Sequence, residues 1–216
     1  MRSAGRAAAI AGLATVICPS HALAHSPIEG LGTFYGYLLH PVTVLSHALL
    51  LTAVALMLGQ QARSSARAAV LALGLAFAGG LAAAMAGASD TNPVSEPLLL
   101  MGALVAGSVV IVDRPIPAAV AISIGAATGL AIGLDSATAT SGVRENVLGI
   151  AGVTTGVLYL TVVIAGMTVT FEKQWQRISV RIVGSWIFAV SMLVLAQTAA
   201  GPAKRAAAAG GEFLYG

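Results

Sequence analysis

Six apolar segments, near 41–59, 68–87, 97–112, 118–134, 147–170 and 180–199, dominate this chain of 216 residues. Crossing about 30 Å of hydrocarbon takes about 20 apolar residues in a helix. Lipid offers no partner to backbone N–H and C=O groups, so segments of this length cross a bilayer as helices. The expected fold is all-α, a polytopic membrane bundle of six transmembrane helices. Segments three and four are short. Asp113-Arg114-Pro115-Ile116-Pro117 lies between them, and its two prolines and two charges oppose one continuous helix.

Charge supports the same class. Only 9% of residues are charged, against about 25% in soluble domains, and the mean hydropathy is +0.90. The sequence pI near 9.4 does not imply nucleic acid, because the basic residues form no patch interleaved with aromatics. They sit mostly in short loops, where they set topology.

Residues 1–24 have the features of a secretory signal peptide: Arg2 and Arg6, a short apolar run from Ala7 to Ile17, and Ala22-Leu23-Ala24 for cleavage. The domain plan is then 1–24 leader, 25–200 six-helix membrane domain and 201–216 disordered alanine- and glycine-rich tail. Cleavage would remove Cys18, the single cysteine, leaving no thiolate for a metal or for catalysis. With the mature N-terminus outside, the inner loops hold Arg63, Arg67, Arg114, Lys173, Arg177 and Arg181. That bias predicts a bacterial inner-membrane protein with both mature ends periplasmic. Glu29, Asp90, Glu96, Asp135 and Glu145 then gather outside, where a funnel of carboxylates would concentrate cations.

Histidine marks the chemistry. His25, His40 and His47 are the only histidines outside the leader, and imidazole is the commonest protein ligand for transition metals. Pro41 suits the first position of a helix, with His40 at its entrance. His47, two turns on, would share that face but lie roughly 10 Å along a regular helix. Either the two are successive stations on a path, or His40 is bent inward by the proline and joins ligands from other helices. An ionisable side chain as deep as His47 faces the bundle interior and marks an ion or proton pathway. His25 and Glu29 could capture an ion at the mature N-terminus, and Asp135 ends the fourth segment on the same side. The candidate metal residues are therefore His25, His40, His47, Glu29 and Asp135.

Other features suit packing or anchoring. Gly125, Gly129 and Gly133, with Gly152 and Gly156, have the spacing of close helix approach, within the chain or in an oligomer. Phe34, Tyr35 and Tyr37, like Trp175, Gln176, Arg177 and Arg181, have the composition of interfacial anchors. The sequence contains no Gly-x-Ser-x-Gly, His-Glu-x-x-His, P-loop or dinucleotide fingerprint, so no enzymatic activity is expected. No covalent cofactor is expected either; the metal is substrate or ligand.

The leader ending in Ala-His, the His40-Pro41-x-x-x-x-x-His47 pattern and the stretch from Trp175 to Trp186 resemble HupE/UreJ membrane proteins of the second subgroup. The resemblance spans about residues 25–198. It implies a nickel or cobalt permease that accompanies a hydrogenase or urease maturation system, embedded in the lipid bilayer. Copper or zinc also suits nitrogen and oxygen donors. The family's fuller motif is His-Pro-x-x-Gly-x-Asp-His, and here Val44 and Ser46 replace its Gly and Asp. Thr128, Ile132 and Tyr159 stand where further family histidines often occur. The alternatives are a non-transporting assembly partner of a metalloenzyme and a copper-handling protein.

Overall fold

The fold is that of a computed structural model describing residues 31–88, 94–137 and 142–212, with backbone alone over 201–212. The leader, His25, Glu29 and Asp90 lie outside the described residues. Among the described residues the chain is all-helical: α1 (Gly32–Thr43), α2 (Leu45–Gly59), α3 (Arg63–Ala83), α4 (Glu96–Val112), α5 (Ala118–Asp135), α6 (Val143–Val169) and α7 (Gln174–Glu212). Four helices are long and apolar enough to cross a membrane: α3, α5, α6 and α7 over its first part. The pair α1 and α2 makes a fifth crossing if taken as one broken span, and α4 is a shorter apolar helix. Many large apolar side chains face outward, Leu71, Leu75, Tyr159 and Trp186 among them, as a lipid-facing surface requires.

The first segment departs from expectation. Pro41 does not open a helix; it lies inside α1. Its missing N–H and its ring disturb the turn around it, and three residues later Val44 takes extended angles, φ −85° and ψ 111°. The chain turns by 71° there and α2 begins. The preference of His40 for non-helical angles before proline is overridden, since His40 stays in α1.

α2 is the central post. Leu50, Leu51, Ala53, Val54, Ala55, Leu56, Met57 and Leu58 are all buried, as expected for a helix apolar on every side. It packs on α4, where Leu50 meets Gly102, and on α6, where Gly59 meets Ala165 and Thr168. The glycines act as the small-residue spacing predicts, and they act within the chain. Along α5, Gly125, Gly129 and Gly133 lie on the backbone of Ala69, Leu73 and Phe77 of α3. Along α6, Gly152 and Gly156 lie on the backbone of Phe34 and Leu38 of α1. These faces are thereby filled and are not open to a second copy.

The remaining boundaries follow local chemistry. Gly87, at φ +86°, ends the π-helical turn Ala84–Ala88 that extends α3; only glycine takes that angle without cost. Asp113, at φ +53°, stops α4, and Pro117 precedes α5, so the predicted break over 113–117 is present. α7 continues as backbone helix through 201–212, where a disordered tail was expected; its alanines are the strongest helix formers.

Helix direction gives the bundle two chemically distinct ends. The paired contacts run parallel between α1 and α6, α3 and α5, and α2 and α4, and antiparallel between α4 and α7. One end therefore carries Glu96, Asp135, Arg144 and Glu145. The other carries Arg63, Arg67, Asp113, Arg114, Glu172, Lys173, Arg177 and Arg181. At this basic end Arg177 holds Asp113 through Nη2 at 2.9 Å and Nε at 3.2 Å. Arg181 Nε donates to the Ile111 carbonyl at 2.8 Å. Cationic groups on the last carbonyls of α4 offset its dipole, so these arginines are helix clamps as well as belt residues.

Candidate metal site at the helix break

The bend at Val44 decides the geometry. In a straight helix His40 and His47 would be two turns apart; across the break their rings meet edge to face with centroids 5.4 Å apart. The sequence offered successive stations or a His40 bent inward at the proline toward other helices; the break instead falls at Val44 and sets His40 against His47. Thr43 Oγ1 donates to the His40 carbonyl at 3.2 Å, and the Val44 N–H donates to the same oxygen at 3.1 Å. The corner is thus held by its own hydrogen bonds.

His47 is fully buried, and its Nε2 lies 2.9 Å from Asp135 Oδ2. With the carboxylate ionised and the ring neutral, Nε2 is the nitrogen that donates in this contact. That leaves Nδ1 with a lone pair, and Nδ1 is buried with no hydrogen-bond partner. Such an atom in a satisfied core is uncommon and calls for an explanation. Asp135 reaches His47 from the last turn of α5, where Thr128 and Ile132 share its face and are buried. Ser136, the next residue, is also buried with its Oγ unpartnered.

Tyr37 completes the surroundings. It was expected at the interface with Phe34 and Tyr35. Tyr35 is 60% exposed, but Tyr37 is buried, its ring 6.4 Å from that of His40. Its position one turn before His40 was the available signal, because residues three apart on a helix share a face. Tyr159, by contrast, faces outward.

The site is sunk within the bundle. Gly156 of α6 meets Leu38 and Pro41, thirteen residues or roughly 20 Å after α6 begins. Below His47 the enclosed apolar side chains of α2 follow. Glu96 and Glu145 start α4 and α6 at the same end of the bundle and are exposed. His40, His47 and Asp135 are therefore brought together, whereas His25 and Glu29 lie outside the described residues. Among the described residues, no three His, Cys, Asp or Glu side chains are grouped so as to hold one ion.

A family model described as HupE / UreJ protein matches residues 13–194. No curated protein and no solved structure gives a match.

Proposed function

Since the chain belongs to the HupE/UreJ family, we propose that it is a membrane permease or binding protein for a divalent transition metal, nickel or cobalt. The observation that carries this reading is the buried pair of imidazoles beside Asp135. A metal–nitrogen bond of about 2.1 Å puts two imidazoles on one ion with centroids roughly 5 Å apart, close to the separation of His40 and His47. Asp135 supports the reading through a recurrent arrangement in which a carboxylate takes one ring N–H of a histidine and the other nitrogen binds metal. In that arrangement Nδ1 of His47 is the donor, and Asp135 orients the ring and raises its basicity. His25 and Glu29 would supply further ligands from the mature N-terminus.

The same reading covers topology. The ends of the bundle differ in basic charge in the sense of the positive-inside rule. This favours six spans, with α1 and α2 as one broken crossing and α4 as a short one, in the inner membrane. The site would then face the periplasm and the arginine-rich end the cytoplasm, next to a metalloenzyme maturation system.

One observation favours the non-transporting alternative. The stretch from Leu50 to Leu58, apolar except for Thr52, separates His47 from the polar groups at the far end of α2. The test is nickel and cobalt flux into liposomes containing the purified chain, with calorimetry on the same preparation. Binding and flux that both disappear in His47→Ala support the permease. Binding without flux favours an assembly partner. Neither binding nor flux in the natural chain rejects the metal reading.

A further inference from the structure

Far from the histidines, at the arginine-rich end of the bundle, α3 and α6 part to leave a groove of about 580 Å³. Arg63 and Arg67 stand at its mouth. Its walls are Ala66, Val70 and Leu71 on one side and Val162, Ala165, Gly166 and Val169 on the other, with Thr170 at the rim. No carboxylate lines it. Neither arginine has an ion-pair partner among the described residues, and both are exposed. Beyond the lining residues, Leu158 of α6 comes against Gly74 of α3. From Arg63 to Gly74 is eleven residues, or roughly 16 Å of helix. That is about half the ~30 Å hydrocarbon thickness of a bilayer.

These observations specify the occupant. A slot one leaflet deep, apolar along its length and doubly cationic at the membrane surface, matches one acyl chain beneath a phosphate. Arg63 and Arg67 lie four apart on one face, and α3 begins at Arg63, so its free N–H groups and positive dipole end lie at the same mouth. Gly166 adds an independent mark. A Cβ there would meet no atom within 4 Å, so α6 leaves open space where the chain of a lipid would run.

We propose that the α3–α6 groove is a binding site for an anionic phospholipid, its phosphate on Arg63 and Arg67 and one acyl chain against Gly166. The site does not depend on the metal reading. Each basic residue near the surface contributes about a fivefold preference for anionic lipid, hence on the order of twentyfold for the pair.

The experiment reconstitutes the full chain in equimolar phosphatidylglycerol and phosphatidylcholine and extracts it gently into detergent. The lipid that stays bound is then quantified by mass spectrometry. The natural chain should retain phosphatidylglycerol well above its bulk share. Arg63→Gln with Arg67→Gln should return the ratio to bulk. Gly166→Leu keeps every charge and puts its Cβ into open space; it should reduce total retained lipid and the enrichment together. Arg144→Gln, at the opposite end, should change neither. Retention at the bulk ratio by the natural chain overturns the proposal. So does enrichment that survives Gly166→Leu, because a charged surface without a lipid slot would behave in that way.

Discussion

His47 and Asp135 are 88 residues apart in sequence and 2.9 Å apart in space, joining the start of the central helix to the end of α5. Under the proposed reading the carboxylate accepts the Nε2 hydrogen bond of His47 and leaves Nδ1 for the metal. His47→Ala is expected to abolish high-affinity nickel or cobalt binding. Asp135→Asn keeps the side-chain shape but weakens the ring's orientation, and should lower affinity about 10- to 100-fold. Calorimetric titration of both variants checks the order. Equal losses would make Asp135 a direct ligand rather than a positioning residue.

The corner at Val44, three residues after Pro41, brings the two imidazoles together. Pro41→Ala restores an N–H and removes the ring clash, favouring a straighter helix. Metal affinity should fall on the order of tenfold, as it does when a ligand's supporting group is lost, while helix content by circular dichroism stays unchanged. Full affinity in this variant would show that packing on α6, not the proline, holds the corner.

Gly129 lies directly on the Leu73 backbone, so any side chain there forces α5 off α3. Gly129→Val should destabilise the purified protein by about 1–3 kcal/mol, the usual cost of overpacking, with a matching fall in its thermal midpoint. Gly79, in α3, faces open space. Gly79→Ala should be neutral or stabilising, up to about 1 kcal/mol, through helix propensity alone.

Arg177 and Asp113 form a close ion pair, but the arginine side chain is 58% exposed. Arg177→Gln should therefore cost less than about 1 kcal/mol. Metal binding at the histidines, near the other end of α2, should not change in the same titration. A large loss of binding would couple the two ends of α2.

The bundle was legible in the sequence because apolar length and prolines act locally. The helices α2 to α7 each overlap a segment that the hydropathy placed, and the 113–117 break is present, but α1 lies almost wholly before the first segment. The glycine stripes were legible as packing surfaces for the same reason, since their spacing is a property of one helix. The corner at Val44 was not. A His-Pro pair predicts a helix start and a helix kink equally well, and the choice here depends on α1 lying against Gly152 and Gly156. Tyr37 was misplaced with its aromatic neighbours because composition does not tell the buried face of a short helix from its exposed one. The His47–Asp135 bond could only be anticipated as shared sidedness, because no local rule pairs residues on two separate helices.

The encasement of α2 has a kinetic consequence. With apolar side chains buried over most of its length, α2 offers few polar groups to carry an ion between its two ends. Any ion that crosses must wait for neighbouring helices to shift, and collective motions of that kind take microseconds to milliseconds. Turnover would then resemble that of a carrier, saturating as cargo rises, rather than the ohmic current of an open pore.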